Sequence, residues 1–189
     1  MIAILDYGAG NLRSVQNALD AIACPYSLVR DSQGLRQASK IILPGVGHFG
    51  QMMRALDSLD VRETLLGRIR AGVPFFGICL GMQALFDESE EAPEARGLGL
   101  FRGTVRRFSA GIRVPHMGWD QCETKSGRSP YYYFAHSYYV PECEHAFEVC
   151  EYGVRFTASL RSGAIRGVQY HPEKSGSAGQ EVLESFVAC

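Results

Sequence analysis

The 189-residue sequence contains no Cys-x-x-Cys pair, no run of five basic residues and no apolar stretch long enough to cross a bilayer. Each absence excludes a class of protein. The most apolar run, Val73–Met82, is broken by Pro74, Gly77 and Gly81 and reaches only about half the ~20 residues a spanning helix needs. Lys plus Arg is 19 against 20 for Asp plus Glu, a net charge of −1, whereas nucleic-acid and membrane-surface binders cluster cations against phosphates. The six cysteines, Cys24, Cys79, Cys122, Cys143, Cys150 and Cys189, are scattered, which argues for reduced thiols rather than a disulfide framework. No Cys/His pair has zinc-site spacing, since Cys143 and His145 lack a second pair, so neither a metal nor another cofactor is expected. Ile2–Leu5 is followed by Asp6 with no basic region before it, which gives no secretory leader and a cytoplasmic expectation. Repeats, low-complexity tracts and linkers are missing too, so residues 1–189 are read as one domain.

What is present is ordinary globular usage, 46% hydrophobic and 21% charged, arranged in two grammars. The first half alternates short β-rich runs with helical periodicity. Ile2–Tyr7, Tyr26–Arg30, Lys40–Leu43 and Val73–Ile78 read as strands. Asn11–Ile22, Phe49–Ala71 (broken near Asp60) and Leu80–Phe86 read as helices. Such alternation builds a mostly parallel sheet with helices on both faces. From Gly97 short strand-like runs follow one another: Thr104–Phe108, Tyr131–Val140, Ala146–Glu151, Val154–Leu160 and Ile165–Tyr170. They predict antiparallel strands appended to the sheet. A final helix from about Ala178 is expected to start with a Ser177/Gln180 capping box and to bury Val182, Leu183 and Phe186.

The sharpest chemical signal is Gly77-Ile78-Cys79-Leu80-Gly81 at a strand-to-helix junction, with Cys where a hydrolase elbow carries Ser. The strained turn aims the nucleophile off the carboxyl edge of the sheet, and the following helix N-terminus favours a thiolate. The same string also suits an inert Cys packed between glycines. Of the five histidines, His48, His116, His136, His145 and His171, the last follows a strand and precedes Pro172-Glu173. Glu173 is spaced to orient its imidazole, as in nucleophilic triads. Tyr7-Gly8-Ala9-Gly10 and Pro44-Gly45-Val46-Gly47 are glycine turns after strands. The first lacks the third glycine of a dinucleotide loop, and the second is either an anion-binding turn or a plain one. Tyr131, Tyr132, Tyr133, Tyr138 and Tyr139 surround Phe134, His136 and Ser137 in an aromatic strand that suits a core, with polar residues available to a site.

Gly77-Ile78-Cys79-Leu80-Gly81-Met82-Gln83, Pro44-Gly45-Val46-Gly47 and His171-Pro172-Glu173 resemble the elbow, oxyanion strand and His-x-Glu of class I, triad-type glutamine amidotransferases. Asp6–Leu12, Val114–Trp119, His136–Tyr139 and Tyr170–Gly176 extend the likeness over the whole chain. They narrow it to the branch whose glutaminase subunit serves histidine biosynthesis beside a cyclase. Met82 agrees, since several sister groups carry His there, while Tyr139 stands where some relatives have a basic residue. The resemblance implies a flavodoxin-like three-layer α/β sandwich. It implies Cys79 as nucleophile, His171 as general base and acid, and Glu173 as its orienter. Backbone N–H groups of Val46 and Leu80 form the implied oxyanion hole, and Gly47, Gln83, Ser137 and Tyr138 hold glutamine. A (β/α)8-barrel cyclase subunit is the implied heterodimer partner and receives the ammonia. Asn11, Met117, Trp119 and Lys174 are the implied contacts with it.

Three rivals share parts of this pattern. A glutaminase subunit for another synthase would differ only in its partner. A stand-alone cysteine hydrolase of related fold typically puts His directly after the elbow Cys, where this chain has Leu80. A catalytically dead binding subunit is disfavoured by the intact Cys79, His171 and Glu173.

Overall fold

A computed structural model of the chain describes residues 1–124, 127 and 129–189. Its first half follows the alternating pattern: β1 (Ile2–Leu5), α1 (Leu12–Ala21), β2 (Tyr26–Val29), α2 (Ser32–Gln37), β3 (Lys40–Gly45), α3 (Phe49–Ser58), α4 (Arg62–Arg70), β4 (Phe75–Cys79) and α5 (Leu80–Gln83). The break between α3 and α4 falls where expected, at Asp60, whose φ is +52°. The second half carries β5 (Phe86–Ser89), β6 (Phe101–Arg107), β7 (His116–Thr124), β8 (Tyr131–His136), β9 (Tyr138–Tyr139), β10 (Ala146–Glu151), β11 (Arg155–Ser162) and β12 (Ile165–Val168), then a 3₁₀ turn (Pro172–Lys174) and α6 (Gly176–Val187).

A nine-stranded sheet runs β2-β1-β3-β4-β12-β11-β10-β7-β8, and a three-stranded sheet runs β5-β6-β9. The large sheet is parallel from β2 to β12 and antiparallel from β12 to β8. This is the expected mixed α/β architecture. β12 is the joint between the two regimes, and its register decides the site. Gly167 faces Gly77 and Val168 faces Ile78 on β4, so the residues that follow, Gln169 to His171, emerge beside Cys79. On the other side of β4, Gly45 of β3 pairs with Cys79 itself.

Strands buried on both faces read as continuous apolar runs. Ile41, Ile42, Leu43, Phe75, Phe76 and Ile78 are accordingly all buried. Burying one such side chain fully contributes about 1.5–3 kcal/mol. On one side the core joins α3 and α4 through Phe49, Met52, Leu56 and Leu65. On the other it joins α1 and α6 through Val15, Leu19, Leu183 and Phe186, the last stacked on Phe76 at 5.1 Å. Lys40 Nζ donates to the carbonyls of Phe186 and Val187 at the end of α6, where a cation meets the negative end of the helix dipole.

Several boundaries differ from the sequence reading. The helix after Cys79 ends at Gln83 instead of Phe86, because Phe86 pairs with Phe101 as the first residue of β5 and Leu85 O accepts from Leu100 and Phe101 N–H. The Tyr131–Val140 run is interrupted at Ser137, where the chain leaves β7 and turns to pair with β6. α6 begins at Gly176, so Ser177 lies inside it and the Ser177/Gln180 capping box is absent. Ser175 precedes the helix, but its hydroxyl is committed to the backbone around His171, and Gln180 bonds Glu184 instead. α2 and β7 had no assignment in the sequence. Among the described residues no helix is long and apolar enough to cross a membrane.

Candidate active site

Cys79 stands between β4 and α5 with φ +54° and ψ −110°. A non-glycine residue held in such a conformation costs about 1–3 kcal/mol and persists only where its surroundings enforce it. The enforcement here is close backbone approach. A Cβ on Gly77 would sit 2.5 Å from Gly81 O, and one on Gly81 would collide with the Leu43 carbonyl. On Gly45 it would meet Gly81 N at 2.6 Å. Gly47 differs: open space surrounds it, and its φ of +94° is the only demand for glycine.

His171 is buried and fixed at every level. Its N–H donates to Tyr133 O (2.9 Å), its carbonyl accepts from Ser175 Oγ (2.6 Å), and Ser175 Oγ in turn accepts from Tyr133 N–H (2.9 Å). The Nδ1 atom lies 2.9 Å from Glu173 Oε1, and the Glu173 side chain is itself 2% exposed. Burial opposes charge on this ring. The hydrogen bond to Cys79, the Cys79 charge and Glu173 outweigh it and push His171 up to about 10. Cys79, His171 and Glu173 are therefore joined in sequence, sulfur to imidazole and imidazole to carboxylate. Glu173 Oε2 has no partner among the described residues, leaving the carboxylate's charge directed at His171.

A cavity of about 280 Å³ opens at Cys79, with Val46, Gly47, Leu80 and Gln83 on the elbow side and Pro115, Met117 and Ala135–Tyr138 opposite. Every residue expected to form the oxyanion hole or to hold glutamine thus lines one space with the sulfur. Tyr7 Oη, 3.5 Å from Val46 O, ties down that turn, and burial pushes the Tyr7 phenol up to about 12. Gln83 Nε2 donates to Tyr138 O (2.8 Å) and Gln169 Oε1 (2.9 Å), and Gln169 Nε2 approaches Cys79 Sγ at 3.5 Å.

Three contributors escaped the sequence reading. Gln169 is fully buried, and only the β12 register shows that it adjoins Cys79. Ser175 stands in the sequence only within Tyr170–Gly176, and its bonds to His171 O and Tyr133 N–H come from the fold. Glu91 lines the cavity while accepting from Phe49 N–H (2.7 Å) at the start of α3, and no local pattern announced it.

The four residues assigned to a partner surface lie outside the cavity proper, except Met117 on its rim. Met117 and Trp119 are 63% and 56% exposed on β7, unusual for residues of that size. The Tyr133 ring joins Trp119 (6.3 Å) and the Lys174 ammonium (5.7 Å), and Asn11 directly precedes α1, a helix that packs against the Pro172–Lys174 turn. Of the other cysteines, Cys24, Cys122 and Cys150 are buried, Cys143 is half-buried and Cys189 is exposed, and all are unpaired.

The family model "Glutamine amidotransferase class-I" matches residues 3–189. The chain belongs to the class-I glutamine amidotransferases. It is 47% identical to imidazole glycerol phosphate synthase subunit HisH of Methanothermobacter thermautotrophicus, over 99% of this chain and 98% of that protein. It is 46% identical to the Thermus thermophilus protein of the same name, over 95% and 93%. A solved glutamine amidotransferase superposes with a TM-score of 0.81 at 20% identity, covering 100% of this chain and 99% of that one, a likeness of fold. As a glutamine amidotransferase, the chain is an enzyme.

Proposed function

We propose that this amidotransferase is the glutaminase subunit of an imidazole glycerol phosphate synthase, with Cys79, His171 and Glu173 as its catalytic triad. The observation that carries the catalytic part is the strained Cys79 hydrogen-bonded to a buried His171 that is backed by Glu173. The near-full-length relatives named as HisH carry the pathway part.

The Cys79 sulfur attacks the side-chain amide carbon of glutamine. Negative charge gathers on the amide oxygen and is met by the N–H groups assigned to the oxyanion hole, those of Val46 and Leu80, two residues that line the cavity. Each such donor is worth about 3–4 kcal/mol in other hydrolases. The C–N bond breaks as His171 passes its proton to the departing nitrogen, leaving ammonia and a γ-glutamyl thioester on Cys79. His171, now neutral, takes a proton from water as the oxygen attacks the thioester, and glutamate leaves with the sulfur restored. Gly47, Gln83, Ser137 and Tyr138 hold the substrate, and Glu91 offers a carboxylate to its ammonium group.

Ammonia released into water is protonated and loses its nucleophilicity, so a partner must receive it directly. The proposed partner is a (β/α)8-barrel cyclase subunit, seated on Asn11, Met117, Trp119 and Lys174, in which ammonia completes imidazole glycerol phosphate and releases aminoimidazole carboxamide ribonucleotide. Large exposed aromatics favour such a surface, since Trp is enriched among interface hot spots. The test is co-expression with the cyclase, comparing glutamine-dependent with ammonia-dependent product formation. The expected result is activity with both nitrogen sources in the wild type and with ammonia alone in Cys79→Ala. A pair that runs on ammonia but never on glutamine overturns the reading.

A further inference from the structure

Two buried histidines that the triad does not use, His116 on β7 and His136 at the end of β8, touch ring to ring. His136 Nδ1 lies 2.8 Å from Tyr138 O, and a carbonyl only accepts, so that nitrogen carries a proton. A neutral imidazole has one donor and one acceptor nitrogen, so Nε2 of His136 is then the acceptor. His116 Nδ1 sits 3.0 Å from that Nε2 and must be the donor. The polarity of the chain is thereby fixed from the carbonyl outward. His116 Nε2 faces Asp120 Oδ2 at 3.2 Å, where the neutral ring sets a lone pair against a carboxylate that is 32% exposed and can be met by water, a smaller cost than a lone pair set against Tyr138 O.

Tyr138 O is the shared acceptor of this chain and of Gln83 Nε2. The segment it belongs to, His136–Tyr138, forms one wall of the Cys79 cavity. The alternative tautomer of His136, with its proton on Nε2, would set a lone pair against Tyr138 O and would require His116 to move its own proton from Nδ1 to the Asp120 side. A proton on His116 Nδ1 therefore goes with the tautomer of His136 that holds the carbonyl. Its own ring is gripped by Tyr152 (3.9 Å, stacked) and Phe134 (4.7 Å, stacked), so the donor cannot swing away.

We propose that His116 is a positioning residue for the glutaminase site: by donating from Nδ1 it locks the His136 tautomer, and through it the Tyr138 carbonyl and the Gln83 amide that face the substrate. The proposal rests on the reading of the cavity as the glutamine site.

The test uses the complex with the cyclase partner and three proteins: wild type, His116→Phe and His116→Asn. Phenylalanine keeps the aromatic stack and removes the donor, while asparagine returns an N–H close to the place of Nδ1. Removing a donor from a buried acceptor is commonly worth about tenfold in binding. The expected result is a KM for glutamine raised about tenfold in His116→Phe with kcat changed less than threefold, and recovery to within about threefold of wild type in His116→Asn. Alkylation of Cys79 by iodoacetamide, which needs the sulfur but no glutamine pocket, stays at the wild-type rate in both. An unchanged KM in a folded His116→Phe overturns the proposal and leaves the glutaminase reading intact. So does an equal defect in both variants, which would make the ring a packing element only. Loss of glutamine-dependent activity in the wild-type complex itself would instead sink the reading on which the proposal rests.

Discussion

Two histidines are buried around Cys79, and their surroundings drive their protons in opposite directions. At the end of β12, His171 is pushed up to about 10, while at the end of β8, His136 is pushed down to about 3. Burial acts on both rings in the same direction, against the imidazolium. What differs is the company. His171 meets a sulfur and a carboxylate, and both favour its proton. His136 meets desolvation that the Tyr138 carbonyl cannot offset, and the like charges of His116 and His171 add to it. Residue type and depth therefore do not assign the acid and the spacer in this site. The neighbours do, and they arrive from different elements: β4 supplies Cys79 to the first histidine, and β7 supplies His116 to the second.

Removing the charge behind His171 should erase much of this contrast and produce the largest effect. Glu173→Gln keeps the shape but not the negative charge, and loss of the corresponding group in serine proteases lowers turnover by about 10⁴-fold. A fall of at least about a thousandfold in glutamine turnover is expected, with ammonia-dependent synthesis by the complex untouched. In the wild type the protonated His171 is lost only as pH rises through about 10, so the alkaline limb of turnover belongs there, well above the ordinary 6.5. In Glu173→Gln that limb should move toward neutrality. A limb that stays in place would assign it to another group.

A smaller effect appears in stability. The folded state keeps the His171 proton that the unfolded chain loses between 6.5 and about 10, so this contribution is complete below 6.5 and disappears as pH rises through that window. His136 works on the acid side. Between 6.5 and about 3 the unfolded chain takes up a proton that the folded state refuses, so stability falls as pH falls. A one-proton difference tilts the unfolding free energy by about 1.4 kcal/mol per pH unit. Urea unfolding across both windows should show His136→Asn flattening the acid slope alone and His171→Gln the alkaline slope alone. Equal changes on both sides would mean that the two rings do not differ as described.

The sequence made the elbow legible because its requirements are local. Gly77 answers a collision with Gly81 four residues on, and the Cys between them follows a β-rich run; the Gly81 collision, with the Leu43 carbonyl of β3, is the long-range exception. His171-Pro172-Glu173 was legible for the same reason, its two side chains being 2.9 Å apart within one short turn. Most of the first half followed from periodicity, as β1, β3 and β4 are buried on both faces, while α2 lacked such a signal. The second half was less readable. β7 carries Gly118, Trp119 and Asp120 on a partly exposed sheet and so lacks an apolar run, and β5 competes with a helix that pairing to β6 overrules. Gln169, Glu91 and the role of His116 depend on register between strands far apart in sequence, which no local spacing encodes.

The central claim is that one thiol of six is the glutamine nucleophile. The most direct measurement is peptide mass spectrometry after treatment of the complex with the glutamine analogue 6-diazo-5-oxo-L-norleucine, with and without excess glutamine. The expected result is a single adduct on Cys79, suppressed by glutamine and missing from Glu173→Gln over the same time. An adduct on Cys122, Cys143 or another thiol, or one on Cys79 that glutamine does not suppress, would contradict it.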